Sequence, residues 1–392
     1  MKTVGAVVFL PRETGGSARM LEDLVLAPAA LWLAEALKDA GVGRFFVVCH
    51  EDDRERAAAC FPQGTPIVTS GTEDAFQRLG DFLAEGGRTL MFTRACWLSR
   101  AGAAQVTGDG PWLAGPGTGI HRIDALALKA ALEEGKGLEE ALRGGEEYPR
   151  TLGGVWSLDP RDSREERDRV SRAAHADLAD RLYEAGVRFT DADSVYLDPT
   201  VTVGAGTCLL PGTILTGRTA VGRNCVIGPN SVIRDCLVGD GVKVNASQLS
   251  GSVVEDGAEL GPFACVRPGC RIGRNGKAGS FVELKNADVG ADARISPLTY
   301  VGDADVGSGV DIGCGTVTVN YDGDAQFRTV IGDGAFVGCS TNLVAPVKVG
   351  EGAYTAAGST ITEDVPADSL AIARDRQVVK KQWAAKRRNC RK

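Results

Sequence analysis

Residues 203–239 read VGAGTCLLPGTILTGRTAVGRNCVIGPNSVIRDCLVG, and their spacing decides the fold. Val203, Leu209, Leu215, Val221, Ile227 and Ile233 fall six apart, a period that suits neither an α-helix nor a simple alternating strand. The register slips by one at Val238 and Val244 and resumes at Val254, Leu260, Val266 and Ile272. After a non-repeating segment come Val289, Ile295 and Val301, then Val306 and Ile312, and finally Ile331, Val337, Leu343 and Val349. Such a repeat fits a coil with three flat faces, in which every sixth residue points inward and stacks on its equivalent one coil away. Three faces of six residues make a coil of about 18, so nine coils at most fill residues 200 to 365. Glycine often follows the apolar position, as at Gly204, Gly222, Gly239 and Gly338, where a positive φ or a close neighbouring coil would exclude a Cβ. A β-sandwich would instead need period-two alternation and turns every 8 to 12 residues. A parallel β-helix is the expected fold of this half.

The chain has 392 residues, enough for two domains, with 43% hydrophobic and 24% charged residues. Its 51 glycines are about twice the usual share of roughly 7%, as many tight turns and short strands require. It holds no run of 18 apolar residues and no basic, apolar leader, so a cytoplasmic protein without a membrane span is expected. The 11 cysteines are scattered and lack close CxxC pairs, which reads as buried free thiols in a reducing compartment. His50, His121 and His175 lie far apart in sequence, and no metal is expected. The net charge of −7 argues against a nucleic-acid partner. The tail KKQWAAKRRNCRK (380–392) carries seven basic residues and no acidic one, a composition suited to an anionic ligand.

Residues 1–155 alternate strand and helix patterns. VGAVVF, RFFVVCH, IVT and TLMFT read as strands; LAPAALWLAEALKDAG, ERAAACF, DAFQRLGDFLAEG and the closing DALALKAALEEGKGLEEALRGG read as helices. The alternation predicts a Rossmann-like α/β layer structure with parallel pairing. Residues 156–196 read as a charged linker running into a helix striped by Leu178, Leu182 and Val187. Residues 197–368 form the β-helix and 369–392 the basic tail.

Residues 180 to 377 resemble the acetyltransferase half of the bacterial bifunctional enzymes that acetylate glucosamine-1-phosphate and then uridylylate the product. The segments carrying the resemblance are AGVRFTDADSVYLDPTVTVG, GPFACVRPG, GSFVELKNADVG, PLTYVGDADVG, GTVTVNYDG, FVGCSTNLVAPVKVG and SLAIARDRQ. The resemblance implies a left-handed β-helix that trimerises, with the sugar phosphate and acetyl-CoA bound between neighbouring subunits. It implies that Arg267 and Lys285 hold the sugar's phosphate, a role suited to their charge and donors. It places Tyr300 against the sugar phosphate and Asp311, where the family commonly has asparagine, in the sugar site. Asn320 and Tyr321 fall at the junction of amine and thioester, with Asn320 orienting the amine. Cys314, Cys339, Ala357 and Arg374 fall where cofactor contacts lie. A buried thiol is expected for Cys339, because no histidine is near in sequence to activate it.

Two departures follow from the same segments. The family's catalytic histidine precedes the threonine of its LTY segment by two positions, and this chain has SPLTY, with Pro297 in its place. Asp311 and Gln326, at the positions of asparagine and lysine, make the sugar site more negative by two charges than the family pattern. The first 155 residues resemble a shortened nucleotidyltransferase domain. ETGGSARM stands for its phosphate loop, GTEDAF for its base-binding segment and GTGI for NTGI. The usual lysine has no counterpart in LEDLVLAP, Ala95 replaces a metal-binding aspartate and the second metal ligand is missing from GVWSL. Phosphoryl-group transfer depends on those charges, so uridylyl transfer is expected to be lost, with Arg19 left as a candidate anion contact. The expected function is acetyl-CoA-dependent N-acetylation of an amino-sugar phosphate in the formation of UDP-N-acetylglucosamine. The alternative is a protein of the same fold that binds a sugar phosphate, a nucleotide sugar or an acyl-CoA without turnover.

Overall fold

The computed structural model describes residues 4–12, 16, 18–110, 112, 117–149, 153–159 and 162–389. It divides into two compact units, one running to Thr202 and including Ile214–Arg218, the other comprising the rest.

In the first unit, β1 (Val4–Phe9), α1 (Ala29–Asp39), β2 (Val42–Cys49), α2 (Arg54–Cys60), β3 (Ile67–Thr69), α3 (Glu73–Ala84) and β4 (Arg88–Phe92) follow the expected alternation. Their strands pair in parallel, in the order β3-β2-β1-β4. Val7, Phe46, Phe82, Leu83 and Met91 fill one side of this sheet, with the rings of Phe46 and Phe82 5.4 Å apart. The next elements are β5 (Cys96–Leu98), α4 (Arg100–Thr107) and β6 (Gly117–Asp124), followed by α5 (Ala125–Glu133), α6 (Leu138–Leu142), β7 (Glu146–Pro149) and β8 (Val155–Ser157). Sequence patterning missed β6 and β7, which extend the sheet antiparallel, and the antiparallel pair β5–β8. The missed strand β6, GTGIHRID, carries two glycines and a charged stretch, which mask its pairing with β4. The closing helical pattern breaks into α5 and α6 at Gly135, which takes φ +83°.

The expected helix begins at Arg164 and takes up most of the stretch expected as linker and helix. Helix α7 (Arg164–Glu184) begins at a reciprocal cap in which Ser163 and Glu166 satisfy each other's backbone N–H groups. Val170, Ala174, Leu178 and Leu182 form its buried stripe, while Val187 is buried beyond the helix end. Arg181 pairs with Asp39 of α1 at 2.8 Å, and the Arg100 N–H of α4 donates to Asp177 at 3.0 Å. These contacts attach α7 to the α/β layers, where it is more than a spacer.

The second unit is the left-handed parallel β-helix. Every apolar position of the six-residue series from Val203 to Val349 is buried. One face stacks nine short strands between Cys208 and Thr355, and a tenth, Leu370–Ala371, lies in the stretch expected as tail. The register slip is a shortened coil: Val232 pairs with Gln248, a nearer partner along the chain than Val226 is for Cys208. Glycines after the apolar position serve close approach. A Cβ on Gly338 would lie 2.5 Å from the Ala357 nitrogen of the next coil. Of these glycines Gly228 and Gly261 also take positive φ, at +106° and +98°; elsewhere positive φ falls on separate corner residues, such as Asn224, Asn275 and Asp292. Buried hydroxyls that patterning did not identify, including those of Thr213 and Thr316, donate to corner carbonyls at 2.7 and 2.8 Å. The tail ends in a short exposed helix, Trp383–Asn389, and residues 390–392 lie outside the described residues.

Candidate functional site

The β-helix register brings part of the expected site together. Glu283 is in register with Cys265 below and Tyr300 above, so Arg267, Lys285 and Gly302 occupy one outward column in three consecutive coils. A Cβ on Gly302 would collide with the Tyr300 hydroxyl oxygen; the absent side chain lets that ring fold along the strand, beside Lys285. Arg267 pairs with Glu283 at 2.8 Å and Lys285 with Asp303 at 3.6 Å. An incoming phosphate would therefore exchange into existing ion pairs. For the exposed Arg267 pair the exchange costs little, because water screens its attraction.

At the corner beyond this column, Asn286 and Asp303 take φ values of +46° and +47°, which asparagine and aspartate tolerate. The Asn286 amide donates to one Asp303 oxygen at 2.7 Å, and the Asn320 amide donates to the other. Burial opposes ionisation of Asp303, but those two amides and Lys285 outweigh it and hold its carboxyl below the usual range. Asn320 is buried with its amide committed to Asp303, while Tyr321 projects into solvent.

These residues stand where the chain leaves the coil. Tyr300 pairs with Val317, but Val317 pairs with Asn342, a much longer step along the chain, so the extra residues form a loop after Val319. The Phe327 N–H donates to the Asn320 carbonyl at 2.8 Å, and Tyr321 bridges Gln326. Asp322 caps the tip by accepting from the Asp324 and Ala325 N–H groups at 2.9 and 2.8 Å. Arg328 closes the loop by grasping Asp305 in two-pronged fashion and donating to the Asn286 and Ala304 carbonyls.

The expected cofactor residues form a second column at the other end of the same face. Asp311 and Ile312 are in register with Phe336 and Val337, which sets Cys314 beside Cys339. The Gly315 N–H donates to the Pro297 carbonyl below, and the Gly358 N–H donates to the Cys339 carbonyl at 2.8 Å. The column therefore runs Pro297, Cys314, Cys339, Ala357, with the Arg374 side chain reaching within 3.8 Å of a Cβ built on Gly358. All five are exposed. Cys339 thus departs from the buried thiol expected of it, because it occupies an outward corner position. Asp311 stands apart, on the preceding face between Arg294 and Phe336; the fold of one chain does not bring it to Lys285.

Glu283, Asp303 and Arg328 went unrecognised in the sequence. A signal was present: NADVG (286–290) and DADVG (303–307) are near-copies on successive coils, placing Asn286 and Asp303 at equivalent corners.

The first unit gives less support to a second site. Of ETGGSARM, residues 13–15 and 17 lie outside the described residues, and Arg19 pairs with Glu22. In GTEDAF, Thr72 caps α3 by accepting from the Ala75 N–H at 3.2 Å; GTGI opens β6. Ala95 accepts a hydrogen bond from the Leu158 N–H. His50 lies beside Asp52, His121 is half-buried with its pKa lowered by burial, and His175 contacts the Val195 carbonyl at 2.6 Å. Among the described residues no three His, Cys, Asp or Glu side chains gather as a metal site, and no helix is long and apolar enough to cross a membrane.

The family model "Bacterial transferase hexapeptide (six repeats)" matches residues 328–363. The bifunctional protein GlmU of Brevibacillus brevis is 44% identical over 285 residues, 69% of this chain and 61% of that protein. GlmU of Exiguobacterium sp. is 50% identical over 201 residues, 51% of this chain and 45% of that protein. GlmU of Shouchella clausii is 44% identical over 284 residues, 69% of this chain and 62% of that protein. The chain thus spans less than two thirds of the length of these relatives. The family to which the segments between residues 180 and 377 pointed, that of the bifunctional GlmU proteins, is the one this chain matches in sequence.

Proposed function

We propose that this chain is an acetyl-CoA-dependent N-acetyltransferase acting on an amino-sugar phosphate of the glucosamine-1-phosphate type, and that it works as a homotrimer in the cytoplasm. The observation that carries the reading is the pair of outward columns on one β-helix face. Arg267 and Lys285 offer cationic donors at one end, and the Cys314–Ala357 column with Arg374 lies at the other. Asp311 faces elsewhere, which supports a cleft completed by a neighbouring copy. Arg267 and Lys285 bind the phosphate, Tyr300 contacts the sugar and Tyr321 flanks the thioester. Asn320 positions the loop through Asp303. The amine attacks the thioester carbonyl, the C–N bond forms, the C–S bond breaks, and the coenzyme leaves as its thiol. The proton lost by the amine passes to solvent, because Pro297 offers no base. The missing charges of the α/β domain support the loss of uridylyl transfer.

Mixing purified protein with acetyl-CoA and glucosamine-1-phosphate and following free thiol tests the reading. Release proportional to protein is expected; none above buffer at high protein concentration would sink it. Pro297 favours one other reading, a protein that binds the same ligands without turnover. Calorimetric heat with acetyl-CoA in the absence of thiol release would select it.

A further inference from the structure

Ten cysteines fall among the described residues, and eight of them are buried or half-buried. Burial pushes the Cys60 thiol up to about 11 and that of Cys96 up to about 12, holding both protonated and out of reach. Cys314 and Cys339 are the exposed pair. They come from well-separated stretches of the sequence, yet the Ile312–Val337 pairing and the Ser340 N–H donating to the Cys314 carbonyl at 2.7 Å set them side by side on successive coils. Neighbouring strands are about 4.8 Å apart, inside the roughly 4.4–6.8 Å range of Cα separations that a disulfide spans. The neighbouring Cys339 thiol raises the pKa of the Cys314 thiol. The corners carrying them are pinned: the Gly313 N–H donates to the Val337 carbonyl at 2.7 Å, and a Cβ on Gly313 would lie 2.5 Å from the Cys339 nitrogen.

We propose that Cys314 and Cys339 are a redox-modifiable dithiol, which a peroxide oxidises to an intramolecular disulfide that closes the acyl-CoA column. One thiolate attacks a peroxide oxygen, the O–O bond breaks, and a sulfenic acid and water form. The second sulfur then attacks the first, the S–S bond forms and hydroxide leaves as water. Two thiols and one hydrogen peroxide thus become one disulfide and two waters. The coils are already at bonding separation, so closure needs side-chain rotation with no rearrangement of the stack. The effect on acyl-CoA rests on the proposed function; formation of the disulfide does not.

The test treats the full-length protein with hydrogen peroxide, blocks remaining thiols with iodoacetamide, and digests it with trypsin after denaturation. Peptides 295–328 and 329–348 each contain a single cysteine, Cys314 and Cys339 respectively. The expected product is these two peptides joined, released by dithiothreitol, and absent from Cys314→Ser and Cys339→Ser. Non-reducing electrophoresis should show a single-chain band. Two separately alkylated peptides, or a link formed only between chains, would overturn the proposal. In parallel, oxidation should lower acetyl transfer at least tenfold, with dithiothreitol restoring it. Unchanged transfer in a cross-linked protein would overturn closure of the column. Absence of transfer in the reduced protein, with the link still forming, would count against the acetyltransferase reading and leave the dithiol standing.

Discussion

Replacing Asp303 by asparagine should release the loop that carries Asn320 and Tyr321. Asparagine keeps the shape of the side chain and tolerates the φ of +47°, so the β-helix corner survives. One carboxylate oxygen, however, becomes an NH2 group facing the amide donor of Asn286 or Asn320, and Lys285 loses its partner. Asp303 is nearly buried, so water cannot replace the lost acceptor freely. A charge-assisted hydrogen bond at such a site contributes ~1.5–3 kcal/mol. If that stabilisation is absent from the open loop, its open population rises roughly 10- to 150-fold, at about 1.4 kcal/mol per decade. The assay is hydrogen exchange read by mass spectrometry on the Phe327 amide, which is bonded to the Asn320 carbonyl in the closed loop. Exchange there should accelerate by that factor, with peptides from the strands around Val266 and Ile295 unchanged. Acid should have the same effect on the wild type. The carboxyl pKa is lowered on folding, so the contribution is fully present above the unfolded value of about 3.9 and is lost as pH falls through the folded value. Less than threefold acceleration in Asp303→Asn would refute the claim that this carboxylate holds the loop.

Leu343→Ala empties a fully buried position and should cost ~2–5 kcal/mol, read as a lower urea midpoint with an unchanged slope. Gly338→Ala, whose Cβ would press on the next coil, should cost ~1–3 kcal/mol; thermal unfolding at the wild-type temperature would contradict the close-approach argument. Arg267→Gln should raise KM for the sugar phosphate roughly tenfold, the low end expected of a charged hydrogen bond at an exposed site, with little change in kcat. Pro297→His should raise the thiol-release rate by about 10² if only a base is missing, and an unchanged rate would mean that the cleft differs elsewhere. In the α/β unit, the Arg12 hydrogen bond overcomes burial and lowers the pKa of Asp53; stability from that pair should persist above pH about 4 and fade below it, a fall that circular dichroism would find reduced in Arg12→Met.

The β-helix was legible because a single inward position repeats at each face, and that is the position hydrophobicity reports. Val203 through Val349 fall in the core on spacing alone. The α/β domain was half legible. Buried parallel strands such as Val42–Cys49 read as apolar runs, whereas Gly117–Asp124 is stabilised by a register no local pattern encodes. At the candidate site, resemblance pointed to Arg267, Lys285 and Tyr300, but the carboxylates paired with Arg267 and Lys285 stayed hidden. Charged residues are usually solvated, and nothing in their identity says that Asp303 is buried between two amides. The separation of Asp311 from Lys285 was equally invisible, because sequence order does not tell which face of a coil a residue occupies.

The coil from which the loop departs has a consequence for how such a protein can change. Val317 and Asn342 remain in register across the detour, as do Ala304 and Thr329, so the stack above and below makes no demand on the exposed tip between Tyr321 and Gln326. Length and composition there can drift, or be exchanged by design, without disturbing the core. The fold thus carries a detachable parenthesis: a few exposed residues can be rewritten while the hydrophobic spine stays the same.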